Sequence, residues 1–204
     1  MGDERRVDYF ADRANTAKRK PPKPTPQLVE RWAHTYVNRY YSPEASVRAT
    51  LSRRIARSCE AHGMGTAEAA GWADDVIATL KQAGVIDDQR WAADKARALA
   101  ERGQPPRAIQ QRLRAKRLAD AHIAAALEGL KQDRSGEPVD VAWQAAVAYA
   151  RRRRLGPFRR DAATRAERFQ KDLAAMARAG HGYGLARRIL DAEDADAALD
   201  PDAR

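Results

Sequence analysis

The chain has 204 residues and a formal net charge of +10, and its 44% hydrophobic share is inflated by alanine, which buries little area per residue. No run of about 18 apolar residues occurs, so no membrane-spanning helix is expected, and the single cysteine, Cys59, excludes an internal disulfide. β-Branched residues are scarce beside alanine, arginine and leucine, which predicts an all-α protein with several small helical cores in place of one large one.

The opening MGDERRVDYF carries acids and no apolar stretch, unlike a secretory leader, and with one cysteine it predicts a cytoplasmic protein. Residues 1–26 read as a disordered or polyproline-like basic arm. In Lys18-Arg19-Lys20-Pro21-Pro22-Lys23-Pro24-Thr25-Pro26 the prolines oppose helix and the charges oppose burial. Such an arm is either a solvated tail without a partner or a segment that contacts nucleic acid.

Residues 27–84 form the first expected three-helix module. Val29, Ala33, Tyr36, Val37 and Tyr40 make one helical face. Ser42-Pro43-Glu44 then opens a second helix, with the serine as cap, the proline at the first helical position and the glutamate at the positive end of the dipole. Val47, Leu51 and Ile55 are its stripe, and Gly63 and Gly65 end it. Thr66 caps a third helix that buries Ala69, Trp72, Ala73, Val76, Ile77 and Leu80.

Residues 85–134 form the second module, and its hairpin carries the densest set of signals in the chain. Gly84 can take the left-handed conformation that ends the preceding helix, and Asp87 can cap the next. Ile86 and Trp91 then have the spacing of a hydrophobic staple. Trp91, Ala92, Ala96 and Leu99 share one side of that helix, Gly103 stops it, and Pro105 fits the first turn of another. This next helix roots little more than Ile109 and Leu113, while Arg107, Arg112, Arg114, Lys116 and Arg117 crowd its other faces. A thin apolar stripe beneath a dense cationic face predicts a surface helix aimed at something acidic. Ile123, Ala126, Leu127 and Leu130 close the module, and a loop follows at Arg134-Ser135-Gly136-Glu137-Pro138.

The third module spans residues 135–191. Its stripes are Trp143, Ala146, Val147 and Ala150, then Ala166, Phe169, Leu173 and Met176, then Leu185 and Ile189. Residues 135–190 carry a net charge of +7, and residues 191–204 one of −5. Residues 192–204 are read as an acidic tail that frays. A repeat can be tested by register: Tyr40, Pro43, Val47, Leu51 share their spacing with Arg102, Pro105, Ile109, Leu113 and with Arg178, His181, Leu185, Ile189. The linkers are unequal, so the expectation is a short elongated array and not a regular solenoid.

The order Gly84, Ile86-Asp87-Asp88, Arg90, Trp91-Ala92, Arg97, Arg102-Gly103, Pro106, Ile109, Leu113-Arg114, Lys116 resembles the central signature of the RecX family, bacterial regulators of the RecA recombinase. The resemblance extends more weakly from about Leu28 to Asp191, through Tyr36 to Tyr41 with Ser42 and through Ala177 to Gly180 with Tyr183 to Leu190. It implies tandem three-helix modules and binding to RecA and to the RecA filament on single-stranded DNA. It also implies modulation, mainly inhibition, of ATPase and strand exchange in recombination, DNA repair and the SOS response. Inhibition by occupying the filament groove and inhibition by blocking filament growth both fit. Three positions depart from the family. Arg117 stands where glycine is usual, His181 where an aromatic is usual, and Gly182 where a capping residue is usual, which predicts a looser third module.

Other constellations carry less. Cys59, Glu60 and His62 have no second pair to complete a zinc site. Gly180-His181-Gly182-Tyr183-Gly184 lacks the preceding strand and the lysine of a phosphate loop, so it reads as an interhelical turn. Asp87-Asp88 reads as capping, and Trp32, Trp72, Trp91 and Trp143 fall on buried stripes. No catalytic, metal or cofactor residue is expected.

The expected partner surface comprises Arg90, Arg97, Arg102, Arg107, Arg112, Arg114, Lys116 and Arg117, with Arg151, Arg152 and Arg154 from the run at 151–154. Arg159 and Arg160 extend that run. The expected protein is a monomeric, non-enzymatic regulator with RecA as partner, weaker direct contact with DNA and no membrane. The alternative is a helical protein that binds DNA without sequence preference.

Overall fold

The computed structural model describes residues 20–132 and 135–201. They form α1 (Pro26–Arg39), α2 (Glu44–His62), α3 (Ala67–Gln82), α4 (Asp88–Glu101), α5 (Pro106–Arg114), α6 (Asp120–Glu128), α7 (Val141–Arg153), α8 (Arg165–Arg178) and α9 (Tyr183–Asp191), with short 3-10 turns at Gly129–Lys131, Gly156–Phe158 and Ala162–Thr164. No strand occurs among the described residues, and one isolated bridge pairs Gln132 with Pro138. The reading of residues 1–19 as disordered, and Arg134 of the expected loop, lie outside the described residues.

Each consecutive trio of helices encloses its own buried cluster. Val29, Ala33, Val47, Leu51, Ile55, Cys59, Ala69, Ala73, Ile77 and Leu80 pack within α1–α3, joined by Ile86 from the following turn. Trp91, Ala92, Ala96, Leu99, Ile109, Leu113, Leu118, Ile123 and Ala126 pack within α4–α6. The α7–α9 cluster contains Trp143, Ala146, Val147, Ala150, Leu173, Met176, Ala186, Ile189 and Leu190. Of the four tryptophans, Trp91 and Trp143 are buried, whereas Trp32 and Trp72 are half-buried against the first cluster. Ala166, expected on the buried stripe of α8, is exposed.

The second helix of every trio starts in a shared way that differs in detail from the expectation. Pro43 and Pro105 are the N-caps of α2 and α5, one position before the first helical residue, and Gly182 is the N-cap of α9. The preceding C-caps, Tyr40, Arg102 and Ala179, each lie three residues earlier. The third copy of the register therefore begins at Ala179 and Gly182, one residue later than expected, and its rooted residues are Ala186 and Leu190 with Ile189 beside them. Its core is closed, with Ala186 and Ile189 wholly buried.

None of these three N-caps offers a side-chain oxygen to the orphan N–H groups of its helix. Ser42, expected to cap α2, instead places its hydroxyl 3.5 Å from that of Tyr36. The missing acceptor for α2 comes from the next trio: the Glu44 N–H donates to Asp88 Oδ1 at 2.7 Å. Thr66 precedes α3 in a helical conformation and makes no side-chain cap bond. Asp87 does cap α4, accepting from the Arg90 N–H at 2.8 Å, and Gly84 has φ +68° as required.

Helix α7 is buried on two sides, which the single expected stripe omitted. Ala145 and Tyr149 are buried as well as Trp143 and Ala146, because α7 packs on α4 as well as on α8 and α9. Gly103 sits against the Tyr149 backbone, and Gly180 faces Pro105. The α4–α5 and α8–α9 turns thereby meet over Tyr149, whose ring lies 5.2 Å from that of His181 and whose hydroxyl donates to the Ala175 carbonyl at 3.3 Å.

His181 is 5% exposed, and neither ring nitrogen reaches a partner at hydrogen-bond geometry among the described residues. Burial lowers its pKa from the ordinary 6.5, with the nearby Gly103 backbone working against the shift. The folded state thus prefers the neutral ring, and the associated stability is full above pH 6.5 and is lost as pH falls toward the depressed value. Melting temperature is expected to drop between about pH 7.5 and about pH 5 in the parent chain and to drop less in His181→Phe. Equal drops in the two proteins would remove His181 from the account.

Both ends of the described chain are held. Ser58, wholly buried, donates its hydroxyl to the Pro22 carbonyl, His62 Nε2 lies 2.9 Å from the Pro21 carbonyl, and Pro24 is fully buried. The arm is therefore held from Pro21 onward, and α1 begins at Pro26 under a cap from Thr25. The acidic tail is folded back where fraying was expected: Ala198 is wholly buried in the third cluster. Arg165 donates to the carbonyls of Leu190, Ala192 and Glu193, and Arg188, whose guanidinium lies 4.6 Å from the Trp143 ring centroid, donates to that of Pro201.

Candidate functional site

The site is built on α4, α5 and the turn after them. Ile109 and Leu113, both wholly buried, are all that roots α5 in the core. Arg107, Arg112, Arg114, Lys116 and Arg117 are exposed around it. Arg114 pairs with Asp120 at 3.5 Å, but both side chains are more than half exposed, and such a pair contributes about 0–1 kcal/mol. The others have no carboxylate within ion-pair distance among the described residues. Arg117 has φ +58°, so it occupies the left-handed position that the resemblance assigned to glycine. Arg154 does the same at the end of α7, with φ +54°, which the sequence did not suggest.

The eleven expected residues are not brought onto one surface. Arg117 lines a cavity of about 920 Å³ between the first and second trios, together with Arg48, Lys81, Asp88 and His122. Arg97 lines a separate cavity of about 320 Å³ between α4 and α7. Next to it, sharing Glu101, Gln144 and Ala148, a third depression of about 640 Å³ holds Arg151 and Arg152 beside Trp143 and the tail residue Leu199. Arg90 is exposed on α4, and Arg102 and Arg154 are exposed at the C-caps of α4 and α7.

Several charged side chains hold the fold together. The Glu44 carboxyl is kept below its ordinary range chiefly by the Lys81 hydrogen bond at 2.7 Å, with Arg48 at 3.0 Å, against the opposing effect of burial. Arg48 also pairs with Asp74. Trp91 donates its indole N–H to the Tyr41 carbonyl at 3.1 Å, and the Tyr41 hydroxyl donates to Asp94 Oδ2 at 3.1 Å. Burial and then the Asp94 hydrogen bond push the Tyr41 pKa up to about 12. Asp88, Trp91 and Asp94 thus clasp α4 to the α1–α2 turn, which gives the Asp87-Asp88 pair a structural role for both members. Arg159, counted in sequence with the cationic run, pairs inward with Asp172.

No group of three or more His, Cys, Asp or Glu side chains among the described residues is arranged to hold a metal. Cys59 is buried in the first cluster and His62 faces Pro21. No helix of the described residues is long and apolar enough to cross a membrane. Sequence reasoning missed Asp88 as a cap in trans, the arm contacts of Ser58 and His62, and the exposed arginines of α2.

Fold and site together define a class: an all-α protein of consecutive helix trios, with exposed cations gathered round a thinly rooted central hairpin. Within that class, 177 residues are 34% identical to the Regulatory protein RecX of Myxococcus xanthus (strain DK1622), covering 87% of this chain and 91% of the relative. The chain belongs to the RecX family of regulatory proteins. No family model matches the sequence, and no solved structure matches it.

Proposed function

We propose that this protein is a non-enzymatic regulator that binds RecA and its filament on single-stranded DNA, mainly to inhibit ATPase and strand exchange during recombination, repair and the SOS response. The observation that carries the reading is α5: two apolar side chains root it, and an arginine-rich face is left to solvent. Family membership supplies the regulatory class. Three helix trios, read as docking units over 27–84, 85–134 and 135–191 between the arm and the tail, can each add a small contact whose effects combine through linkage. The working form is a cytoplasmic monomer. Its contact set is Arg107, Arg112, Arg114, Lys116 and Arg117, with Arg90, Arg97, Arg102, Arg151, Arg152 and Arg154 as outlying members.

The test is simultaneous Arg112→Glu, Arg114→Glu and Lys116→Glu. Exposed contacts become repulsive without disturbing Ile109 or Leu113, and the concentration for half-inhibition of RecA ATPase is expected to rise about tenfold or more. A folded triple variant that inhibits like the parent would move the contact surface elsewhere. The second reading, a DNA-binding protein without sequence preference, is favoured by the +10 charge. It predicts that RecA ATPase falls only at concentrations that also shift naked single-stranded DNA, with steep weakening by salt.

A further inference from the structure

The described end of the arm is more ordered than a solvated tail requires. Pro21 and Pro22 direct their carbonyls at His62 and Ser58 of α2, and Pro24 is fully buried. These contacts run antiparallel to α2: Pro21 lies at residue 62 and Pro22 at residue 58. Ser58 and Arg54 are one helical turn apart, and Arg53 and Arg57 form the adjacent row, with Cβ spacing of about 6 Å. Lys20, Lys23, Arg53, Arg54 and Arg57 are all exposed. None has a carboxylate within ion-pair distance among the described residues, although Arg53 donates to Thr50 and the Arg54 guanidinium lies 5.9 Å from the Trp32 ring centroid. A buried hydroxyl and a half-buried imidazole thus fix cations beside other cations, which raises their mutual repulsion, while Pro24 is the member of the segment that packs into the fold.

We infer that the segment from Lys20 to Pro24 and the adjoining face of α2 form a second polyanion site, a strip that holds the sugar-phosphate backbone of single-stranded nucleic acid. The arginines lie in two adjacent rows of α2 beside an arm that adds two lysines, and among the described residues the large ring next to them, Trp32, is already half-buried against the first cluster. Protein interfaces instead use aromatic anchors in pockets and are depleted of lysine, so a phosphate chain suits the strip better than an acidic protein. The site lies on the first trio, away from the α5 surface proposed above, and its test contains no RecA, so either reading can fail alone.

The experiment measures anisotropy of a fluorescein-labelled oligothymidylate over a salt series with three full-length proteins. Lys23→Glu with Arg53→Glu and Arg57→Glu is expected to weaken binding about tenfold and to flatten the slope of log K against log salt by about 0.7 for each phosphate no longer neutralised. Ser58→Ala with His62→Ala keeps every positive charge while releasing the arm, and is expected to weaken binding about threefold. Should the reversal variant misfold by circular dichroism, Lys20→Gln with Lys23→Gln takes its place with a smaller loss expected. Unchanged affinity and slope on charge reversal would overturn the site. Unchanged affinity on arm release would overturn the fixed strip, and equal competition by polyglutamate would overturn the assignment to nucleic acid.

Discussion

Gly103→Ala is expected to lower the free energy of unfolding by about 2–4 kcal/mol, the sum of about 1 kcal/mol for a left-handed non-glycine and about 1–3 kcal/mol for overpacking. The residue has φ +77°, and an added Cβ would stand 2.5 Å from Tyr149 N and 2.7 Å from its Cα and Cβ. The obstruction is backbone, so the neighbour cannot turn aside as a flexible side chain would. Relief requires the α4–α5 turn to lift off α7, which also separates Pro105 from Gly180. Gly84→Ala is the control, because its φ is +68° but nothing lies within 4 Å of the new Cβ, and only the conformational cost of about 1 kcal/mol applies. Urea unfolding of both variants checks the difference. Equal losses would mean that the second and third trios do not meet through this turn.

The same glycine shows how far the sequence could be read. That Gly103 ends a helix follows from its place between a periodic stripe and two prolines. That it must also lack a side chain because Tyr149 passes beneath it depends on a residue far along the chain, and no local pattern encodes that proximity. The stripes of α1 to α6 were legible because each helix has one apolar face, apart from Tyr40, which is the exposed C-cap of α1, and Arg117 was legible through the family resemblance, which places glycine there. α7 was only half legible: Ala145 and Tyr149 exceed a single stripe, and that excess was the available sign of a second packing partner. Asp88 resembled its neighbour Asp87 in every local respect, yet one caps its own helix and the other caps α2. The anchoring of the proline-rich arm at Pro21 and Pro22 was not legible because Ser58 and His62, its partners, are polar residues on a helix that otherwise advertises only Val47, Leu51 and Ile55. The third turn was displaced by one residue because His181 is buried like a core side chain although it precedes the N-cap. For the candidate surface, sequence located the cations of α5 but could not tell outward arginines from inward ones, and Arg159 is the clearest case.

Arg159 and Asp172 set up the second large expected effect. Asp172 lies three residues after Phe169 and four before Met176, on the apolar side of α8, and its side chain is 4% exposed. Its Oδ2 accepts from the Gly156 N–H at 3.0 Å and from Arg159 Nε at 3.0 Å, and Oδ1 accepts from the second guanidinium nitrogen at 2.5 Å. One carboxylate thus satisfies a bidentate guanidinium and the backbone of the 3-10 turn that links α7 to α8. Asp172→Ala strands a guanidinium that is only 21% exposed and an amide that has no other acceptor among the described residues, and breaking such a pair costs about 3–5 kcal/mol. The exposed fifth of Arg159 lets water reach the cation, which favours the lower part of that range. Asp172→Asn is expected to lose less, because an amide oxygen can still accept from Gly156 while its NH₂ faces the guanidinium. Replacing both partners, Asp172→Leu with Arg159→Met, removes the stranded charge and leaves chiefly the Gly156 amide unpaired, a cost of about 1–3 kcal/mol. Urea unfolding of Asp172→Leu, Arg159→Met and the double gives the coupling directly. The double should be more stable than Asp172→Ala. Were Asp172→Ala to cost under about 1 kcal/mol, Arg159 would have to be counted again with the outward-facing cations, and the expected partner surface would extend past Arg154.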